Sequence, residues 1–324
     1  MYAELLRLIV DDYEVGGPSG EVLAGYEGRP FGDAIGLRLL GAVHGLVLAG
    51  EAPELAAFYP SVGGVWDPVL GWEAFAQVLE SRPGELRSLL TQPPQTNEVG
   101  RAAALYGGLL QLVETVPLPV RLFEIGASAG LNLRADHFRY VADGTSYGPA
   151  DSPVVFESAW SGRSLKPAPL RIAERVGCDI APVNPLTEEG ARTVTSYVWP
   201  DMAERLERLR GALAVARQVP ADVRREDAVS FLDGLELSQG HVTVVWHSIM
   251  WQYLSPDDRA TVEDRLTELG SQASGSAPLA RLRLEPQRQG TSYEFLVDLH
   301  TWPGGERQVL GRAEPHGQGL VWVS

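Results

Sequence analysis

Cysteine and lysine are nearly missing from this sequence. A single cysteine in 324 residues, Cys178, excludes an intramolecular disulfide and a cysteine-rich zinc site. A single lysine, Lys166, leaves nearly all positive charge to arginine; with abundant Ala, Gly and Pro, that bias reflects GC-rich coding more than function. Positive charge is also outweighed: the net charge of −15 argues against a nucleic-acid partner, because phosphate binding draws on Lys and Arg. No apolar run approaches the ~20 residues needed to span a bilayer, so no membrane partner is expected. The start, Met1 to Asp12, has neither the basic region nor the cleavage site of a signal peptide, which makes the cytoplasm the expected location. Six scattered histidines show no ligand spacing, and no metal is expected. What remains is ordinary globular material, 44% hydrophobic and 21% charged, enough for one large domain plus an extension.

One more absence orients the reading. No alternating strand pattern is visible before residue 120. The first hundred-odd residues read as helices: Leu5, Leu6, Ile9 and Val10; then Ala34 to Ala49, with His44 as a satisfied core histidine; then Phe75, Val78 and Leu79, ended by Pro83-Gly84. In Gln95-Thr96-Asn97-Glu98-Val99-Gly100-Arg101, Thr96 or Asn97 can cap a helix running through Val113. Glu98 and Arg101 then share its first turn, either as a surface ion pair or pointing into a substrate cleft with Asn97.

The chain is organised around Val120-Arg121-Leu122-Phe123-Glu124-Ile125-Gly126-Ala127-Ser128-Ala129-Gly130-Leu131-Asn132. It reads as a buried strand, a glycine turn, and a helix from Leu131 to Tyr140. Ligands of open α/β sheets sit at the carboxyl end of such a strand. As Glu124-x-Gly126-x-x-x-Gly130 it is a nucleotide-cradling turn. As Gly126-x-Ser128-x-Gly130 it is a nucleophile elbow.

Further on, Asp143-Gly144 marks a hairpin inserted at about 138–160, between Phe138 to Val141 and Val154 to Phe156. Arg175 to Asp179 reads as a strand ending in the carboxylate that two vicinal ribose hydroxyls require. A long helix starts at Pro200-Asp201. Asp227, followed by the small Ala228, ends a short strand and can cap the helix to Leu237. The apolar strand from His241 to Met250 leads into His247, a candidate for cofactor contact or general base, with Trp251, Gln252 and Tyr253 as pocket walls. Ser255 opens a capped helix, Leu279 to Glu285 is a fifth strand, and Tyr293 to Trp302 with Arg307 to Arg312 form a hairpin.

These motifs, in this order, resemble class I S-adenosylmethionine-dependent methyltransferases, with Ser128 where their middle glycine usually stands. Gln95 to Arg101, Gly126 to Asn132, Gly177 to Pro182 and Trp199-Pro200 also resemble a bacterial family of unknown function that spans the whole chain. The resemblance implies an α/β fold with a Rossmann-like, mostly parallel sheet closed by an antiparallel hairpin. It implies a helical cap over 1–115, serving as lid and acceptor pocket, and a methyltransferase-like domain over 116–324. Carried over, S-adenosylmethionine would be held by Glu124, Gly126, Ala127, Ser128, Gly130, Asn132, Asp179, Asp227, Ala228 and His247. A small-molecule acceptor would meet Asn97, Glu98, Arg101, Trp251 and Tyr253, with His247 or Glu98 taking its proton. Two alternatives stay open: a serine hydrolase using Ser128 with Asp298 and His316, and a non-catalytic binding module on the same fold.

Overall fold

The computed structural model describes residues 1–28, 33–91, 94–290 and 292–323. The chain forms two compact units, Met1–Thr96 with Val183–Glu207, and Asn97–Pro182 with Arg208–Ser324. The helix Ala102–Thr115, grouped by the sequence with the first 115 residues, thus belongs to the second unit, and 183–207 joins the first.

Unit one is helical: α1 (Tyr2–Glu14), α2 (Pro18–Leu23), α3 (Ile35–Leu48), α4 (Pro53–Ala56), α5 (Leu70–Ser81) and α6 (Pro83–Leu89). Leu5, Leu39, Leu40, Val43, Tyr59, Phe75 and Leu79 are fully buried in one core, so most of the apolar positions read from the sequence face inward, whereas Val10 is 54% exposed. His44 is among them, bonded to the Ser196 carbonyl at 3.0 Å and Ser61 Oγ at 2.8 Å, a satisfied core residue as expected.

Unit two is built on a nine-stranded sheet. After α7 (Ala102–Thr115) come β1 (Val120–Ile125), β2 (Arg139–Ala142), β3 (Thr145–Tyr147), β4 (Val155–Phe156), β5 (Ser161–Gly162) and β6 (Ile172–Asp179). The chain then passes through α8 (Glu188–Ser196), which belongs to unit one, and α9 (Ala203–Ala216), which begins in unit one's stretch, before β7 (Asp222–Arg225), α10 (Ala228–Asp233), β8 (Val242–Ser248) and α11 (Pro256–Gln272). The chain ends with β9 (Leu279–Gln289), β10 (Ser292–Trp302), β11 (Glu306–Ala313) and β12 (Val321–Trp322).

The strand order is β5-β12-β11-β10-β9-β8-β1-β6-β7. β7, β6, β1, β8 and β9 are mutually parallel, and β9, β10 and β11 form an antiparallel meander. In the parallel part the order of first appearance is third, second, first, fourth, fifth. It reverses between β1 and β8, which defines a topological switch point at their carboxyl ends. The protein is thus α/β with a large, mostly parallel sheet, and no described helix is long and apolar enough to cross a membrane.

Alternation assigns the two faces of the sheet. Phe123, Ile125, Val176, Cys178 and Val245 pack with Phe231, Val262 and Leu266 of α10 and α11. Glu124, opposite Trp246 and Gly177 in register, points to the other face. There α7 lies buried from Ala102 through Val113, and a Cβ on its Gly108 would come within 2.6 Å of Leu282.

Three local readings need correction. Leu131–His137 is a 3-10 segment, not a helix to Tyr140: Arg134 leaves helical angles (φ −108°) and its guanidinium returns to the Gly130 carbonyl at 2.6 Å and that of Val219 at 2.8 Å. The inserted region is a three-stranded sheet, β3-β2-β4. Asp143-Gly144, both at positive φ, turn β2 into β3 as a type I′ hairpin requires, whereas Val155–Phe156 pairs parallel to β2. Finally, α8 has no counterpart in the sequence reading; Thr187 caps it, accepting from the Gly190 amide at 3.0 Å.

Candidate functional site

The carboxyl end of β1 turns at Gly126, Ser128 and Gly130, with φ of 72°, 52° and 65°. Glycine is needed at the last: a Cβ on Gly130 would sit 2.6 Å from Val223 Cγ2. The amides of Gly126 and Ala127 both donate to the Cys178 carbonyl at 2.9 Å, binding the turn to the tip of β6. Ser128, a non-glycine residue in the left-handed region, is held there by its amide, which donates to Asp179 Oδ2 at 2.9 Å. Asp179 Oδ1 accepts from the Ala181 amide at 2.9 Å. Asp179 therefore ends its strand as expected and also clamps the turn.

The second support comes from Asn97 and Glu98. Asn97 Oδ1 accepts from the Leu131 amide at 2.9 Å, and Asn132 Nδ2 donates to the Glu98 carbonyl at 3.2 Å. Asn97 is thus not the helix cap. That role falls to Glu98, which accepts from the Gly100 amide at 2.9 Å at the head of the 3-10 turn Val99–Arg101 that leads into α7. Nor is Glu98 at the surface: it is buried, and its Oε2 lies 3.3 Å from His316 Nδ1. Arg101 donates to the carbonyls of Pro315 at 3.1 Å and Ser248 at 3.2 Å, drawing the exits of β11 and β8 together.

Beneath the turn lies Glu124, buried on the same sheet face. Among the described residues its Oε2 has no hydrogen-bond partner, and neither has Asn132 Oδ1. Burial pushes the Glu124 carboxyl up to about 8. The Trp246 indole and the guanidinium groups of Arg101 and Arg134 pull the other way, while Asp179 adds to the rise. The indole comes near without closing a hydrogen bond, since Trp246 Nε1 is also unpartnered among the described residues.

His247 lies on the opposite face and is fully buried. Its Nδ1 is 2.7 Å from Glu285 Oε1, and Arg281 Nε donates to its Nε2 at 3.1 Å. Because arginine can only donate, Nε2 must hold its lone pair and Nδ1 the proton. Burial, the largest influence on this ring, also disfavours its charged form. With both nitrogens occupied, His247 cannot take a proton from an acceptor, which corrects the general-base reading. Trp251 stacks on it at 5.2 Å and carries the Arg281 guanidinium over its ring at 4.8 Å, so it belongs to this network. Arg281 continues to Glu263 on α11 at 2.7 Å. Tyr253 is 65% exposed, beyond this buried network.

Asp227 caps α10, accepting from the Val229 and Ser230 amides at 2.9 Å each, which pulls its carboxyl below the usual range. Ala228 follows as the first residue of that helix, and β7 ends earlier, at Arg225. The hydrolase set does not assemble. Asp298 is bonded by Arg283 and Gln287, each at 2.7 Å, and His316 faces Glu98 instead.

Two residues escaped the sequence reading. Glu285 ends the parallel stack on β9 and accepts from the Met250 and Trp251 amides at 3.2 and 3.4 Å. It thereby fixes the turn after β8, where Ile249 sits at φ +50°, a costly angle for a β-branched residue. Met250, delivered by that turn, lies where a Cβ on Gly126 would point, at 3.0 Å. Alternation in Arg281, Arg283 and Glu285 on one side of β9 was the available signal.

Over residues 1–322 the sequence matches the model of the family described as an uncharacterized protein conserved in bacteria, DUF2332. The chain belongs to this family. No curated protein matches it. Family membership thus covers the helical unit and the sheet unit together and leaves the chemistry to be argued from the site.

Proposed function

We propose that the protein is a methyltransferase that uses S-adenosylmethionine on a small-molecule acceptor bearing a hydroxyl or amine. The observation that carries this reading is the row of carboxylates along the carboxyl ends of β1, β6 and β7. Glu124 lies under the glycine turn, Asp179 ends the neighbouring strand, and Asp227 stands just beyond the next. Acids at consecutive strand tips suit a ligand with a ribose and an ammonium group.

The residues fit such a cofactor. Glu124 Oε2 and Asn132 Oδ1 are buried acceptors with no partner among the described residues, and buried polar groups of this kind are costly unless something donates to them. Asp179 gives one lone pair of each oxygen to the Ser128 and Ala181 amides; a carboxylate has about four such sites, so hydroxyl donors can still be accepted. Glu124, Gly126, Ala127, Ser128, Gly130, Asn132 and Asp179 would hold the cofactor, with Asp227 and Ala228 at its outer end. Bound S-adenosylmethionine supplies an electrophilic methyl carbon, and the protein's work is alignment and exclusion of water.

Calorimetric titration with S-adenosylmethionine and S-adenosylhomocysteine tests this. Affinity on the order of micromolar is expected, weakened at least tenfold, or about 1.4 kcal/mol, by Asp179→Asn. Asparagine is the better control than alanine because it keeps an acceptor for the turn. Ser128→Ala should bind nearly as wild type. A folded protein that binds neither compound sinks the proposal.

A further inference from the structure

With His247 locked inside the sheet, an acceptor's proton needs another destination, and one imidazole near the turn is both open and set beside a buried carboxylate. His316 stands on the segment between β11 and β12, 46% exposed at its side chain. Its Nδ1 is 3.3 Å from Oε2 of Glu98, an ion-pair distance without hydrogen-bond geometry; the Glu98 side chain is only 4% exposed and its Oε1 is fixed by the Gly100 amide. The pairing is not a chance surface approach, because the backbones interlock. A Cβ on Gly100 would collide with the His316 carbonyl, and one on Gly317 with the Gly100 carbonyl. Arg101 adds its bond to Pro315, and the 314–318 turn closes on itself through Gly317 N to Glu314 O at 2.9 Å and Glu314 N to Gln318 O at 2.8 Å. The Glu98 carbonyl in turn holds Asn132 at the exit of the glycine turn.

We propose that His316, paired with the buried Glu98 carboxylate, is the proton acceptor for the methyl-accepting substrate. A buried carboxylate can only accept from the ring, so it selects the neutral tautomer with the proton on Nδ1 and leaves the Nε2 lone pair outward. The acceptor's O–H or N–H proton passes to Nε2. The acceptor keeps the lone pair, and the imidazolium so formed faces the Glu98 carboxylate, the geometry of a base held by a third group. This assignment rests on the methyl-transfer reading for its purpose, but the dyad is measurable without the methyl donor.

The test is a nitrogen–proton correlation spectrum of the histidine rings of the full-length protein at pH 8.5, with His316→Gln identifying the signal. The expected result is a neutral ring protonated at Nδ1. In Glu98→Gln the Gly100 amide keeps the amide oxygen, so the NH2 group faces Nδ1 and the proton should move to Nε2. A wild-type ring protonated at Nε2 overturns the proposal, and so does a tautomer unchanged in a folded Glu98→Gln. If that variant does not fold, the wild-type tautomer alone decides. S-adenosylhomocysteine titrated into the same samples separates the two ideas. Binding with the wrong tautomer removes His316 and keeps the methyltransferase; the right tautomer without binding does the reverse.

Discussion

Two acids are buried on the two faces of one sheet, both at its carboxyl edge, and they live under different rules. Glu285 is half engaged: the His247 ring and the Met250 and Trp251 amides share its Oε1, and Arg281 and Glu263 extend the network, while its Oε2 has no hydrogen-bond partner among the described residues. Glu124 has neighbours but no closed bond at Oε2, and burial keeps its proton on. The first pattern is what a fold does to secure a strained turn. The second is what a fold tolerates where a ligand completes the bonding. Perturbed titration alone would not separate them, since His247 is shifted too. Each acid also has an unpartnered Oε2; the difference lies in Glu285 Oε1, which accepts from the His247 ring and from the two amides after β8.

The contrast breaks most visibly at Glu285. Glu285→Ala leaves the buried His247 Nδ1 proton and two half-buried amides without their acceptor and leaves Arg281 less compensated, so a loss of about 3–5 kcal/mol is expected in urea unfolding. Glu285→Gln keeps an oxygen for those donors and should cost about 1 kcal/mol. An alanine variant as stable as wild type would mean that the network does not hold the turn after β8.

Glu124 should behave in the opposite sense. Its folded carboxyl is raised to about 8 from an ordinary value near 4.5, so between those values the folded state holds a proton that the unfolded state has released. Stability attributable to this group is therefore full below about pH 4.5 and falls as pH rises toward 8. Glu124→Gln, neutral at every pH, should match wild type near pH 4.5 and exceed it at pH 8.5 by up to about 5 kcal/mol. The same variant should lose most of its affinity for S-adenosylhomocysteine. Higher stability with lower binding is the signature of a ligand site. Equal pH profiles for the two proteins would show that Glu124 is an ordinary carboxylate.

How far these faces were legible in the sequence depends on the range of the signal. The Val120 to Asn132 stretch, the acid ending β6 and the cap at Asp227 are local patterns, and each stands where the residues put it. The 3-10 segment was missed because Leu131, Ala135 and Phe138 keep helical spacing while Arg134 is drawn off it by the Val219 carbonyl, a partner far along the chain. α8 was missed because its residues are mostly polar, with Val194 the one large apolar residue buried. The strand His241 to Met250 was visible, but not the direction of His247. Strand alternation puts it beside Val245, on the face away from Glu124, and that follows once the register of β1 and β8 is known. The Glu98–His316 pairing joins opposite ends of the sheet unit and carries no local pattern at all.

Asp227 sharpens the comparison from a third position, because its partners are few, local and exposed. It accepts from two amides and from Ser230 Oγ at 2.7 Å, and nothing buried depends on it. Its carboxyl is lowered chiefly by the Ser230 amide and hydroxyl, so its contribution is present above the ordinary aspartate value and is lost as pH falls through the depressed one. Asp227→Ala should therefore cost about 1 kcal/mol at pH 7, the usual value of a helix cap, and less at pH 3. If cofactor affinity falls more than tenfold while stability falls by only that amount, Asp227 shares the ligand role assigned to Glu124. If both losses stay small, its work is done by capping α10, and the site ends at Asp179.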